Sequence, residues 1–513
     1  MRTFGPAPEP LPEYHDNLVL ASITTAPEFR AGLVNAAVAA ATLAGLGEFA
    51  ASLTALAPGL VALAAHGLPP AGPSGALATL NRLAEAGDIV EVTPVVAPQR
   101  VAAAAFGAGP QGISTALAMS LLAEPKAKSA GLLTGTSMIR VRNGQSRETV
   151  IRALAAEFGV TVAPVPRRYL LAKKAARARV GARMAPAAVP PALGAAWHLQ
   201  KTGTTAARAA AKFIEPRQVK VAVLDTGIDE THPLLKSRLA RYLHTYSNLN
   251  VVSGTADIVG HGTHVAGTVA AMLDGLTGVC GMCDCKLTAM KIFDDTTEYI
   301  SQRGYFAYTV EPTMYLRAFL ECADAGIQVV NLSIGGPAPP SAQEAQAINN
   351  LIGNGCVIVA AMGNERELGS RPSYPAAHPG IIAVGATDPG DRVTRFSNGG
   401  HHISLCAPGK GIWSTMPTYS GQHGFYPDMS SGSPKEGRAI MRDTEFGQED
   451  GTSMASPQVA AAAAMYLALQ PAARPVDVRT ALTDSAEKVP AMVGKSFHED
   501  YGYGRLDVAA LLA

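Results

Sequence analysis

Val221-Ala222-Val223-Leu224-Asp225-Thr226-Gly227-Ile228-Asp229 is a short apolar run that ends abruptly in an acid, followed closely by glycine. An uncharged run without polar alternation suits a strand buried on both faces, and such strands belong to parallel sheets covered by helices. The strand would deliver the Asp225 carboxylate at its C-terminal end, where open parallel sheets carry their sites. The pattern recurs downstream. Val219–Leu224, Gln328–Leu332, Val357–Ala361 and Ile381–Val384 are expected strands, and Thr263–Leu273, Thr313–Asp324, Ser341–Ile352 and Ser453–Leu469 are expected helices. This alternation predicts an α/β fold: a doubly wound, mostly parallel sheet with helices on both faces.

Two further stretches bear chemistry. In Gly260-His261-Gly262-Thr263-His264-Val265-Ala266-Gly267, a histidine sits at a glycine-flanked helix start. In Gly451-Thr452-Ser453-Met454-Ala455-Ser456-Pro457, a serine opens the long apolar segment Gln458 to Leu469. Pro457 is read in the first helical turn, where a missing N–H costs little. A serine hydroxyl is a poor nucleophile without a neighbouring base, and its attack creates an oxyanion that needs donors. The chain carries its own control, because Gly135-Thr136-Ser137-Met138 repeats the four letters before the strand-like Ile139-Arg140-Val141-Arg142. Ser137 is therefore read as structural.

From about Trp197 onward the chain resembles the subtilisin-like serine peptidases, the subtilase family. The blocks around Asp225, His261 and Ser453 match in order, and Asp, His, Ser is the chain order known for subtilisin itself. A fourth block, Val359-Ala360-Ala361-Met362-Gly363-Asn364, resembles the strand whose closing Asn donates to the oxyanion. The resemblance implies that Ser453 attacks the scissile carbonyl, His261 transfers its proton and Asp225 orients the imidazole. Asn364 and the Ser453 N–H would bind the oxyanion, and His264 would be a packing residue. Ser333, Ile334 and Gly335 would pair with substrate backbone. Ala361, Met362 and Gly363 would form a pocket wall and Ser373 its floor, with Tyr374–Pro375 a candidate cis bond. No charge is read as facing the pocket, so uncharged side chains are expected before the scissile bond. The function implied is a serine endopeptidase acting through an acyl-enzyme. The alternatives are a specialised processing peptidase or peptide ligase, or a degenerate subtilase kept as a binding module.

The chemistry itself needs no cofactor. In the family an Asp commonly follows the His-Pro pair and binds calcium; here His232-Pro233 is followed by Leu234, and the loop Asp274 to Gly281 is altered too, which puts structural calcium in doubt. Cys280, Cys283 and Cys285 cluster tightly, but no fourth zinc ligand lies near in sequence, so a disulfide or buried thiols are favoured. Cys356 and Cys406 read as small buried residues.

Four sections are expected. Residues 1–130 form an Ala-rich region of unassigned role. Residues 131–172 resemble a propeptide: strand Met138–Val141, a helix capped by Ser146, strand Val160–Val162 and an extended Tyr169–Ala172. Residues 173–196 are a basic, Pro-rich linker, and 197–513 the catalytic domain. Self-cleavage is expected between Leu171 and Pro191, with the propeptide-like module as the enzyme's own inhibitory partner beside peptide or protein substrates. Gly87–Thr93 is read as a strand and Ile113–Leu122 as a helix. The stretch Met416 to Glu449 reads as a surface insertion, either a lid or a tolerated loop. With 42 Lys and Arg against 41 Asp and Glu, charge gives no argument for nucleic acid. The Ala-rich runs Ala31 to Gly47 and Phe49 to Ala65 are short for membrane spans and read better as packed helices. No secretory signal peptide is recognised, so localisation is left between cytoplasm and non-classical export.

Overall fold

The computed structural model describes residues 11–23, 79–80, 82–94, 136–157, 160–170, 172–173, 194, 196–244, 256–273 and 278–513. The Ala-rich runs, the helix expected at Ile113–Leu122 and nearly all of the basic linker lie outside them.

A seven-stranded sheet organises the catalytic region. Its spatial order is Leu405–Pro408, Ile382–Thr387, Val357–Ala361, Val329–Leu332, Lys220–Asp225, Lys286–Lys291 and Leu239–His244, and every neighbouring pair is parallel. Successive side chains of a strand point to opposite faces. Val221 and Val223 accordingly enter one apolar core with Val265, Val269 and Val459, while Ala222 and Leu224 enter the other with Phe319 and Ile348. The first core is covered by helices His261–Ala270 and Thr452–Leu469, the second by Pro312–Ala325 and Ala342–Gly353. Helix Thr452–Leu469 is apolar all round because it is buried for nearly its whole length.

The N-terminal α+β unit is larger than the stretch 131–172 in which it was expected. Its antiparallel sheet runs Ile89–Pro94, Thr136–Val141, Tyr14–Ile23, Val160–Pro166, so two of its strands come from before residue 130. Helix Gly144–Ala155 packs on one face through Val150 and Leu154, beside Leu80 and Leu83. Its cap is Asn143, whose side chain accepts from the Ser146 N–H; Ser146 itself donates to Asp88 Oδ1 at 2.7 Å. The other face meets the catalytic unit, where Leu18, Leu20, Met138 and Val165 pack on Leu316 and Leu320.

The expected insertion Met416 to Glu449 is ordered β-structure. Hairpin Gln422–Asp428 and Lys435–Met441 joins a second hairpin, Phe293–Ile300 and Tyr305–Val310, in a four-stranded sheet, and Phe446–Gly451 pairs with Ile412–Thr415. No helix among the described residues is long and apolar enough to cross a membrane.

Candidate active site

Asp225 closes its strand and is fully buried; His261 opens its helix in equal burial. His261 Nδ1 donates to Asp225 Oδ1 at 2.7 Å, and the Thr226 N–H donates to the same oxygen. Burial pulls the imidazole pKa down, but the Asp225 carboxylate outweighs it and the value rises to about 9. His264 lies deeper in the same helix, where burial lowers it to about 3 and its Nε2 donates to the Ile412 carbonyl. The two histidines are thus separated chemically by one carboxylate.

Asp257, which the sequence reading missed, ties the two elements together. Its Oδ1 accepts from Thr226 Oγ1 and the Gly260 N–H, and its Oδ2 from the Thr263 N–H and Oγ1. The only sequence signal was a lone acid just ahead of the histidine block. Gly262 is required by approach: a Cβ there would lie 2.1 Å from the Gly227 carbonyl oxygen.

Ser453 is the second residue of its helix and is buried. Its Oγ donates to the Ser333 carbonyl at 3.0 Å, while His261 Nε2 has no hydrogen-bond partner among the described residues. Pro457 is not in the first turn, since the helix begins at Thr452. The missing N–H therefore leaves the Ser453 carbonyl without its partner four residues on. Ser333 Oγ donates to that carbonyl at 3.0 Å. Ser333 thus grips Ser453 through both its backbone and its side chain.

Asn364 follows strand Val357–Ala361. Its Oδ1 accepts from the Thr452 N–H and Oγ1, both at 3.0 Å, which sets the orientation of the amide. Ala361, Met362 and Gly363 are buried, Gly363 at φ +105°, and Ser373 lies beside the cis Tyr374–Pro375 bond. The cavity at Gly335, Gly336 and Ser373 is also lined by Glu365, Arg371 and Leu11. Charge does reach this region, contrary to expectation. Glu365 Oε2 accepts from the Asn364 N–H at 2.8 Å, and Arg371 lies 3.6 Å from Glu13.

The cleft is filled by the chain itself. Tyr169–Leu170 pairs antiparallel with Ile334–Gly335, and Ala172–Lys173 pairs with Asp450–Gly451. Near the site Glu449 is buried; burial raises its carboxyl to about 7, against the opposing effect of His261. The His232 ring is held by backbone on both nitrogens and Leu234 is packed in the core, so this loop does not fit the calcium site in doubt. Among the described residues no group of three or more His, Cys, Asp or Glu is placed to hold a metal ion. All six cysteines are free and buried, so the disulfide alternative fails.

Residues 216–504 match the model of the subtilase family, more than half of the chain. The chain belongs to the subtilase family. This subtilase is 34% identical to subtilisin DY of Bacillus licheniformis over 298 residues, covering 57% of its own length and 90% of that protein. It is 31% identical to the major intracellular serine protease of Bacillus subtilis (strain 168), covering 50% of its own length and 70% of that protein. Among solved structures, fervidolysin from Fervidobacterium pennivorans, a keratinolytic enzyme related to subtilisin, matches with a TM-score of 0.60 at 22% identity. That match covers 98% of this chain and 61% of fervidolysin, and it supports the fold. The subtilase is a serine-type endopeptidase acting on peptide or protein substrates.

Proposed function

We propose that Ser453, His261 and Asp225 are the catalytic triad of this endopeptidase, with Asn364 as an oxyanion donor, and that the chain processes itself. Ser453 Oγ attacks the scissile carbonyl, His261 Nε2 takes its proton and passes it to the leaving amine, and Asp225 stabilises the imidazolium. The Asn364 amide and the Ser453 N–H meet the charge as it develops on the carbonyl oxygen; loss of such a donor costs about 3–4 kcal/mol. Nothing in this chemistry asks for a cofactor.

The observation that carries the reading is the strand addition. Tyr169–Leu170 is paired with Ile334–Gly335, next to the Ser333 that holds Ser453, and Ala172–Lys173 with Asp450–Gly451, just ahead of Ser453 in the chain, the way an extended substrate is held by main-chain hydrogen bonds. The tail's contacts do not depend on an intact bond after residue 170, so the cleaved module stays as a product inhibitor. The expected self-cleavage segment, Leu171 to Pro191, falls almost wholly outside the described residues.

The test compares wild type, Ser453→Ala and Ser137→Ala by intact mass and by peptide hydrolysis. Wild type and Ser137→Ala are expected to lose the N-terminal module and to hydrolyse peptide, while Ser453→Ala stays at full length and inactive. Fully active wild type of undiminished mass overturns self-processing. Comparable hydrolysis by Ser453→Ala overturns the triad. Joined rather than hydrolysed products would favour the ligase alternative, and failure to react with a fluorophosphonate the binding-module one.

A further inference from the structure

The residue just before the paired dipeptide is Arg168, and it is 2% exposed. An arginine so deeply buried needs an acceptor for each face of its guanidinium. The catalytic unit supplies them. Nε and Nη2 donate to Glu344 Oε1 at 3.1 and 2.9 Å, Nη2 also donates to Glu344 Oε2 at 2.8 Å, and Nη1 donates to the Ala338 carbonyl at 3.0 Å. Glu344 is itself 4% exposed and is held without help from the module: Tyr315 OH donates to its Oε1 at 3.0 Å, and its N–H is capped by Ser341 Oγ. Tyr315 and Ser341 keep the carboxylate in position when the arginine leaves, although Leu20, Met138 and Val165 of the N-terminal unit complete its cover; what remains is an unpaired charge at the cleft.

The backbone shows why this cavity belongs to the cleft. Tyr169 stands opposite Gly335, and Leu170 opposite Ile334. The Arg168 carbonyl accepts from the Val310 N–H at 3.3 Å on the other flank, so the tail lies between Ile334–Gly335 and strand Tyr305–Val310. A Cβ on Gly336 would come within 2.1 Å of the Arg167 carbonyl oxygen, so the strand is seated as close as backbones allow. Any extended peptide that pairs in this register must send the side chain of the corresponding residue toward Glu344. Strand-addition sites take affinity from the main chain and specificity from pockets for alternate side chains.

We propose that Glu344 makes this endopeptidase selective for substrates with arginine immediately before the residue that pairs with Gly335. The inference rests on the reading of the Tyr169–Leu170 tail as the substrate path. Lysine reaches the carboxylate only as a point charge and forgoes the fork geometry, so it ranks below arginine. Leucine gives Glu344 no partner, and glutamate sets two carboxylates together.

The experiment uses four peptides, Val-Pro-Ser-X-Tyr-Leu-Leu-Ala-Lys, with X as Arg, Lys, Leu or Glu. They follow residues 165–173 with serine in place of Arg167, so that one arginine alone can reach the cavity. They are given, in excess over the bound N-terminal module, to the wild-type protein as purified, whose competence is certified by fluorophosphonate labelling. The expected kcat/KM order is Arg, Lys, Leu, Glu, with Arg over Leu by roughly a hundredfold. In Glu344→Gln the Arg to Leu ratio is expected to fall to within about tenfold of unity, because a neutral amide keeps one acceptor but not the charge. Equal kcat/KM for Arg and Leu in wild type overturns the subsite, leaving Glu344 as an anchor for the module only. That comparison needs no variant to fold. A labelled protein that cleaves none of the four also overturns the subsite, whereas a protein that the fluorophosphonate does not label overturns the nucleophile assignment and the subsite with it.

Discussion

At the scale of single residues, His261 is pulled in two directions. Burial favours the neutral ring, and Asp225 favours the charged one more strongly, which takes the pKa to about 9. A base must be neutral to accept a proton, so, with His261 as the proposed base, the acid limb of kcat/KM is expected to track this group. Glu449 adds to the pull: its carboxyl, raised by burial to about 7, is partly charged at neutral pH and stabilises the imidazolium. Replacing Glu449 by glutamine removes that charge, lowers the pKa of His261 and keeps the base neutral at lower pH. The acid limb is expected to move down by roughly half a unit to one unit. A pH–rate profile checks it, and a limb that stays put or moves up removes Glu449 from the electrostatics of the site. The residues proposed to carry the chemistry stood out because each sits at an abrupt change of pattern: Asp225 ends an apolar run, His261 follows Gly260, and Ser453, two residues after Gly451, opens a long apolar helix. Asp257 did not, because its bonds to Gly260 and Thr263 are those of any local cap, and only the bond from Thr226, brought close by the folded chain, ties it to the Asp225 strand.

At the scale of elements, helix Thr452–Leu469 contains a break in its own ladder. Pro457 offers no N–H to the Ser453 carbonyl, and Ser333 Oγ fills the gap while accepting from Asn331 Nδ2 at 2.9 Å. Ser333→Ala therefore leaves two buried polar groups unpaired and is expected to destabilise the protein by about 1–3 kcal/mol. Denaturant unfolding in a Ser453→Ala background, where self-digestion is absent, measures it. Adding Pro457→Ala restores the helical N–H, so the cost of Ser333→Ala should shrink in that background; a cost that does not shrink means the hydroxyl is not completing the helix. Four adjacent strands were legible because burial on both faces demands unbroken apolar runs; Lys286–Lys291, also interior but with a lysine at each end and a threonine inside, was not. Leu239–His244, an edge strand with arginine and histidine in it, gave no such run. The hairpin strands Gln422–Asp428 and Lys435–Met441 are half exposed and mostly polar, so their Gly, Ser and Pro content read as loop.

At the scale of the whole molecule, the N-terminal unit is stitched from distant pieces. Tyr14–Ile23 sits between Thr136–Val141 and Val160–Pro166, and no local pattern could announce partners so far along the chain. A fragment of residues 131–173 lacks that strand and Ile89–Pro94, and should remain unfolded by circular dichroism and fail to inhibit. A fragment of residues 11–173 should fold and inhibit the processed enzyme. Inhibition by the shorter piece would show that the docking tail alone suffices.

The interior place of Tyr14–Ile23 also bears on the order of synthesis. This strand leaves the ribosome early and cannot complete its pairings until Val160–Pro166 has followed, roughly ten seconds later at ordinary elongation rates. During that interval its Leu18 and Leu20 are candidates for chaperone capture, since both end up buried. Ser453 is translated later still. The piece that occupies the cleft is thus finished before the cleft exists, so an inhibitor of the kind proposed would already be available at the moment the proposed nucleophile is made.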